Sequence, residues 1–202
     1  MRIWKQKYHR RSTRLKGYDY SRPGFYFVTI CTKNRQHLFG EIMNNVMHLN
    51  DAGKMVLNCW LEIPGHYSNV KLHEFIIMPN HIHGILEIIE KQNPLTSNNP
   101  QVGVQNIEPL PGDYLNEEPQ SRKQGHLKHR YQHIIPGSLG SIIRGFEIGV
   151  TKWFRKNTDI HNVWQRNFHD TIIKSKWSFR IISRYIINNP KNWDDDEFFN
   201  QY

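Results

Sequence analysis

The sequence predicts an α+β domain with an antiparallel sheet and helices packed on one face of that sheet. The first supporting observation is the order of strand-like and helix-like segments, namely β, hairpin, α, β, β, insertion, α, β, α. This order is not the repeating βαβ series that builds a parallel sheet. The second is size, because 202 residues with 38% hydrophobic side chains are enough for one domain with its own core.

The first predicted strand, hairpin and helix lie in residues 25–64. Phe25 to Thr32 is β-branched and aromatic throughout, which is typical of a buried strand. Within residues 37–49 we expect two short strands joined by a turn at Asn44-Asn45. Asp51 can cap a helix whose apolar residues follow helical spacing until Pro64-Gly65 ends it.

The middle of the chain holds two strands and then loses its periodicity. The strands are predicted over residues 70–78 and 81–89, on either side of Pro79-Asn80. Residues 91–136 follow, rich in proline, asparagine and glutamine and with hardly any apolar pattern. We therefore expect residues 91–136 to be a flexible insertion that adds nothing to the core.

Two helices and a last strand are predicted in the C-terminal third. Ser138 can cap a long helix that carries one apolar stripe with basic residues outside it. Residues 164–173 are predicted to form the last strand and a turn. The final helix covers Ser175 to Asn188 and ends at Asn189-Pro190, because a residue before proline avoids the helical region.

The chain is strongly basic, with 27 lysines and arginines against 18 acids and a formal net charge of +9. Clustered cations favour a polyanionic partner, since they displace counterions from a phosphate backbone. The first 18 residues hold seven basic side chains, no acid and interleaved aromatic rings. This pattern favours nucleic acid, with a solvated tail as the alternative. We expect phosphate contacts from Arg10, Arg11, Arg14, Lys16, Arg144 and Lys152.

These patterns divide the chain into a basic arm over residues 1–20, a single domain over 21–90 and 137–193, the insertion over 91–136, and an acidic tail over 194–202. Cys31 and Cys59 lack the spacing of a zinc or redox site and are predicted to be reduced core thiols. With no apolar leader or membrane-spanning run, the protein is expected to be cytoplasmic, without a membrane partner. We expect a monomer, with a dimer as the alternative.

His81 and His83 are the candidate metal ligands. They lie two residues apart at the start of a predicted strand, so their side chains point to the same face. Two imidazoles placed in this way can bind one divalent metal. Taken alone the pattern is weak, because the chain has 12 histidines and pairs at this spacing also arise by chance.

Tyr185 and Asn189 lie one helical turn apart on the last predicted helix. Spacing alone leaves two interpretations open. In the first, Tyr185 is a core aromatic residue and Asn189 only ends the helix. In the second, Tyr185 is a nucleophile that attacks phosphorus and Asn189 is an oxygen ligand of the metal.

Five blocks of sequence, taken in order, are more specific than any of these motifs alone. The blocks are Arg11-Ser12-x-Arg14-Leu15-Lys16-Gly17-Tyr18-Asp19-Tyr20, Tyr26-Phe27-Val28-Thr29-Ile30-Cys31-Thr32, Met78-Pro79-Asn80-His81-Ile82-His83-Gly84, Trp164-Gln165-Arg166-Asn167-Phe168-His169-Asp170, and Tyr185-Ile186-Ile187-Asn188-Asn189-Pro190-x-x-Trp193. In this combination the chain resembles the REP-associated tyrosine transposases, bacterial relatives of the single-strand tyrosine transposases in the HUH nuclease class. The resemblance covers nearly everything except residues 91–136.

The resemblance implies a ferredoxin-like core with the two histidines on a central strand and the tyrosine on a C-terminal helix. It also implies His81, His83 and Asn189 as ligands of Mg²⁺ or Mn²⁺, and Tyr185 as the nucleophile. The implied substrate is single-stranded or hairpin DNA with REP-like sequences, cleaved through a 5′-phosphotyrosine intermediate and open to rejoining. The chain departs from many relatives at Thr171, where they have a histidine.

Two other functions are compatible with the sequence. The chain can be a DNA-binding module that has lost turnover, or a metal-dependent phosphodiesterase in which water attacks and Tyr185 is structural. A covalent protein–DNA adduct that disappears in Tyr185→Phe separates the tyrosine mechanism from both.

Overall fold

A computed structural model describes residues 14–15, 17–90, 135–196 and 198–199. Most of the predicted basic arm, including Arg10, Arg11 and Lys16, lies outside the described residues, as does the predicted insertion up to residue 134. The end of the predicted acidic tail, residues 200–202, also lies outside them.

The described residues form six strands and four α-helices. In chain order they are β1 (Gly24–Cys31), β2 (Gly40–Met43), β3 (Val46–Leu49), α1 (Asp51–Leu61), α2 (Ile63–His66), β4 (Val70–Ile77), β5 (His81–Ile88), α3 (Leu139–Asn157), β6 (His169–Ile173) and α4 (Lys176–Asn188). Short 3₁₀ helices cover Lys33–Arg35 and Asn189–Asp195. None of the helices in these described parts has the length and apolar character needed to cross a membrane.

The main sheet has four strands in the order β4-β5-β1-β6, and every neighbouring pair is antiparallel. With α1 between β1 and β4 and α3 between β5 and β6, this order is that of a ferredoxin-like fold. The predicted α+β class and antiparallel sheet are therefore confirmed. The strands β2 and β3 form the predicted hairpin beside it, with Asn44 and Asn45 at positive φ in the turn.

Alternating side chains of β1 bury the two faces of the sheet against different helices. Tyr26, Val28 and Ile30 share one core with residues of α1 and α3. Phe25 and Phe27 point to the other face, where they join residues of β5, β6 and α4. The helices α1 and α3 thus cover one face as predicted, whereas α4 lies on the opposite face, because β1 is apolar on both sides.

The helix caps follow the sequence pattern with one correction. Ser138 caps α3, as predicted, and Ser175, predicted as the first residue of the last helix, is the cap of α4; each side chain accepts a hydrogen bond from a backbone N–H in the first turn. Asn50 rather than Asp51 caps α1, since the Asn50 side chain accepts from the Gly53 N–H. Asp51 is the first helical residue, where its negative charge interacts favourably with the positive end of the helix dipole.

Candidate active site

His81 and His83 lie on the central strand β5, as predicted, and both are buried. Their rings are 4.5 Å apart between centroids. In the pairing of β5 with β1, His81 lies opposite Cys31 and His83 lies opposite Thr29. Because directly opposed residues of an antiparallel pair share a face, the two imidazoles lie on the face that α4 covers.

Asn80 determines which nitrogen of His81 carries the proton. The Asn80 side-chain N–H group donates to the carbonyl oxygens of Arg35 and Phe198, so its oxygen is left as an acceptor. That oxygen lies 2.8 Å from Nδ1 of His81, which must therefore donate. In the neutral ring the lone pair is then on Nε2, and this atom is buried without a hydrogen-bond partner. His81 presents an unused lone pair to the interior of the site.

Both ring nitrogens of His83 have partners. Nδ1 lies 2.9 Å from the Thr29 hydroxyl, on the neighbouring strand. Nε2 lies 3.1 Å from the Tyr185 hydroxyl, on α4. A neutral ring that donates from Nδ1 to Thr29 accepts the Tyr185 proton at Nε2.

Burial keeps both imidazoles in the neutral form that metal binding requires. It lowers the pKa of His83 to about 3. It also lowers the pKa of His81 well below its ordinary value, and the positive charges of nearby basic groups add to this effect. Neutral imidazole is the ligand form for divalent metals, so no proton has to leave at neutral pH.

Asp196 joins the two histidines and was missed by the sequence analysis. One ligand atom from each of His81, His83 and Asp196 lies within 4.8 Å of the others. Asp196 follows the 3₁₀ helix after α4, and the Asn80 hydrogen bond to the Phe198 carbonyl ties this segment to the start of β5. The only sequence signal for Asp196 is the acidic stretch soon after the tyrosine helix, and that pattern by itself predicts a tail.

Asn189 contacts this cluster through Asp196. Its side-chain N–H group donates to the Asp196 carboxylate at 3.1 Å, and its buried oxygen has no hydrogen-bond partner. Its role as a metal ligand stays a prediction. The hydrogen bond gives Asn189 a further role, since it fixes the orientation of the carboxylate.

The donor set fits a divalent cation. Two neutral imidazoles and one carboxylate are ligands that Mn²⁺, Zn²⁺ and similar ions accept. The buried Nε2 of His81, which has no hydrogen-bond partner, is the second indication. Buried polar atoms normally have a partner, and an ion bound at this cluster would supply one.

The burial of α4 against the sheet places Tyr185 at the edge of this cluster. Ile186 packs with Ile85 and Ile173 on the inner side of the helix. The neighbouring Tyr185 is thereby left 41% exposed, with its ring against Phe27 and His83. Tyr185 is therefore partly open to solvent while its hydroxyl contacts His83.

The predicted phosphate contacts do not all lie near this centre. Arg144 and Lys152 are exposed on α3, which covers the opposite face of the sheet. The side chain of Arg14 lies over the Phe168 ring and 3.7 Å from buried Asp170, so it is held against β6. Their roles in binding DNA stay predictions.

Two side chains of β6 lie on the same face as the histidines. Thr171 stands opposite Phe27 in the register, at the position where many members of the resembled family have a histidine. His169 stands opposite Thr29, the residue that contacts His83, and is exposed. Sequence analysis did not single out His169, because its relation to His83 depends on the strand order.

Comparisons with known proteins agree with this fold. No protein-family model matches the chain. The solved structure of a REP-associated tyrosine transposase bound to a REP hairpin has a TM-score of 0.53 and 14% identity, over 89% of this chain and 73% of that one. This similarity shows a transposase-like fold. A Haemophilus influenzae protein described as uncharacterized is 43% identical over 192 residues, 95% of this chain and 94% of its own length. The chain belongs to the same protein family as that Haemophilus influenzae protein.

Proposed function

We propose that the protein is a metal-dependent single-stranded DNA endonuclease and strand transferase that acts through Tyr185. The observation that carries the proposal is the 3.1 Å contact between the Tyr185 hydroxyl and His83, beside the group of His81, His83 and Asp196. A nucleophilic side chain next to a candidate metal site is an arrangement that can support phosphoryl transfer to an enzyme.

In the proposed reaction the Tyr185 oxygen attacks a DNA phosphorus atom and the bond from phosphorus to the 3′-oxygen breaks. The phenol loses its proton to solvent and the leaving 3′-oxygen gains one, so the step is balanced. A divalent cation held by His81, His83 and Asp196 would polarise the phosphate and neutralise the developing charge. The product is a 5′-phosphotyrosine whose bond energy is kept, so attack by a 3′-hydroxyl rejoins strands without ATP.

Hairpin DNA is the proposed partner. The fold is similar to that of a transposase solved with a REP hairpin, and the net charge of +9 favours a phosphate backbone. A single strand or an unpaired flank can approach an exposed tyrosine more easily than a phosphate within a regular duplex can. We place the reaction in the cytoplasm.

Cleavage of an oligonucleotide labelled at both ends tests the proposal. The substrate is a DNA hairpin with single-stranded flanks, incubated with Mn²⁺ or with a chelator. We expect the fragment that carries the 3′ label to remain on the protein and the other fragment to leave with a free 3′-hydroxyl. Both products should require the metal.

Two tyrosine variants make this test specific. Tyr185→Phe should lose both products, while Tyr67→Phe should retain them, because the Tyr67 hydroxyl donates to the Ser141 carbonyl on the far side of the sheet. Cleavage by Tyr185→Phe without an adduct indicates hydrolysis by water. Binding without cleavage in the unaltered protein indicates a DNA-binding module.

A further inference from the structure

The outer face of α4 carries an apolar stripe that leads along the helix to Tyr185. Its members, Trp177, Ile181 and Tyr185, follow one another at intervals of four residues, so they line up on one side of the helix. Trp177 is 74% exposed and Ile181 is 46% exposed. Large apolar side chains exposed in a row on one helix face mark an interaction surface.

Basic residues flank this stripe without any acid. Lys174, Lys176, Arg180 and Arg184 are all exposed, and the sequence has no Asp or Glu between Asp170 and Asp194. Within the part of the chain that the structure describes, neither Arg180 nor Arg184 forms an ion pair. An aromatic ring among unneutralised cations fits a ligand that offers flat bases and phosphates together.

We infer that this face of α4 binds the single-stranded DNA that leads to Tyr185, with one base stacked on Trp177. The inference rests on the proposed function and adds a subsite to it. Trp177 and Tyr185 are eight residues apart, about 12 Å along a helix. The stacked base therefore lies no more than about four nucleotides from the scissile phosphate, since stacked bases are spaced by ~3.4 Å.

The occupant is a single strand, because a stacking platform needs a base whose face is free. A regular duplex offers phosphates to Arg180 and Arg184 but no exposed base face to Trp177. Discrimination between the two forms of DNA therefore depends on Trp177. The arginines contribute affinity that falls with salt concentration.

Binding of fluorescein-labelled oligo(dT), and of a blunt duplex of the same length, tests the inference. The measurement uses the full chain with Tyr185→Phe and a chelator, so cleavage does not interfere. Adding Trp177→Ala should weaken oligo(dT) binding by about 5- to 150-fold, the range for loss of one stacked base, and leave duplex binding nearly unchanged. Trp177→Phe should restore most of the affinity.

Salt dependence separates stacking from charge. Trp177→Ala should keep the slope of log affinity against log salt, whereas Arg180→Ala and Arg184→Ala should each reduce it by about 0.7. The matched control is Leu61→Ala, an exposed apolar side chain on α1 at the opposite face of the sheet, which should change neither quantity.

The inference is overturned if the protein with Trp177→Ala and the protein with Trp177 intact bind oligo(dT) with equal affinity. The inference is also overturned if the protein is a dimer that Trp177→Ala dissociates while the affinity for oligo(dT) stays unchanged. In that case a second copy of the chain covers this face. The experiments distinguish failure of the proposed function from failure of this inference. If oligo(dT) binding depends on Trp177 but the protein never forms an adduct, only the tyrosine chemistry is refuted. If the adduct forms but binding does not depend on Trp177, only this subsite is refuted.

Discussion

The hydroxyl of Tyr185 lies 3.1 Å from Nε2 of His83, although 102 positions separate the two residues in the chain. The other ring nitrogen of His83 is held by Thr29, a buried residue fixed by the strand register. A metal ion that binds His83 must replace one of these two hydrogen bonds. The Tyr185 side chain is partly exposed whereas Thr29 is buried, so Tyr185 is the partner that leaves.

Tyr185→Phe is therefore expected to bind metal more tightly than the unaltered protein when DNA is absent. The substitution removes the hydrogen bond that competes for Nε2 of His83 and keeps the ring packing against Phe27. Titration with Mn²⁺ by calorimetry measures the change. Equal or weaker affinity in Tyr185→Phe would show that the hydroxyl and the metal do not compete.

Asp196→Asn tests the carboxylate of the candidate site. The two carboxylate oxygens of Asp196 accept from Asn189 and from the Phe198 N–H, and the amide nitrogen of the variant can accept neither bond, so the melting temperature without metal should fall somewhat. The rise in melting temperature on addition of Mn²⁺ should be largely lost, because a ligand stabilises only as far as it binds the folded state. Asp194→Asn changes an exposed acid of the 3₁₀ helix that precedes Asp196; it is the control and should keep the rise. An unchanged rise in Asp196→Asn would exclude its carboxylate as a ligand.

The buried histidines make the metal-free protein sensitive to acid. Burial holds the pKa of His83 at about 3, whereas the unfolded chain binds this proton near pH 6.5. The corresponding stability is complete above about pH 6.5 and is lost progressively as the pH falls toward 3. Between pH 7 and pH 5 this single group accounts for a loss of about 2 kcal/mol.

His83→Gln should remove that part of the acid sensitivity. Melting temperatures in chelator should fall less between pH 7 and pH 5 for His83→Gln than for the unaltered protein. His48→Gln, an exposed residue of the hairpin, should follow the unaltered profile. Parallel profiles for all three proteins would mean that His83 is not the group that resists protonation.

Gly84→Ala should destabilise the strand that carries the histidines. A Cβ at this position meets the indole of Trp60, which α1 packs onto β5. Overpacking of this kind costs about 1 to 3 kcal/mol. Gly65→Ala, where a Cβ has open space, is the control, and denaturant melts measure both. A Gly84→Ala protein as stable as Gly65→Ala would show that Trp60 can move without cost.

The alternation of apolar residues explains why the sheet could be predicted from the sequence. Phe25 to Thr32 is apolar on both sides, as suits a strand covered on both faces, and the two-residue spacing of His81 and His83 places them together. The pattern of α4 shows an apolar stripe but not which face of the sheet receives it. That choice depends on the packing of Ile186 with Ile85 and Ile173.

Asp196 could not be predicted from the sequence for a different reason. Its approach to the histidines depends on the path of the chain after α4, where no periodic pattern constrains it. Two hydrogen bonds hold that path, one from Asn80 to the Phe198 carbonyl and one from Asn189 to Asp196. They join segments that are far apart in the chain or have no regular structure. Tyr185 was predicted as the nucleophile, and its contact with His83 is compatible with that role.

Mapping of the covalent adduct tests directly whether Tyr185 attacks DNA beside the histidine cluster. The protein is incubated with hairpin DNA and Mn²⁺, digested with nuclease and trypsin, and examined by tandem mass spectrometry. We expect a nucleotide attached through its 5′-phosphate to Tyr185, in the peptide from Tyr185 to Lys191, and no adduct in His81→Ala. Attachment to any other residue, or cleaved DNA with no adduct, would contradict it.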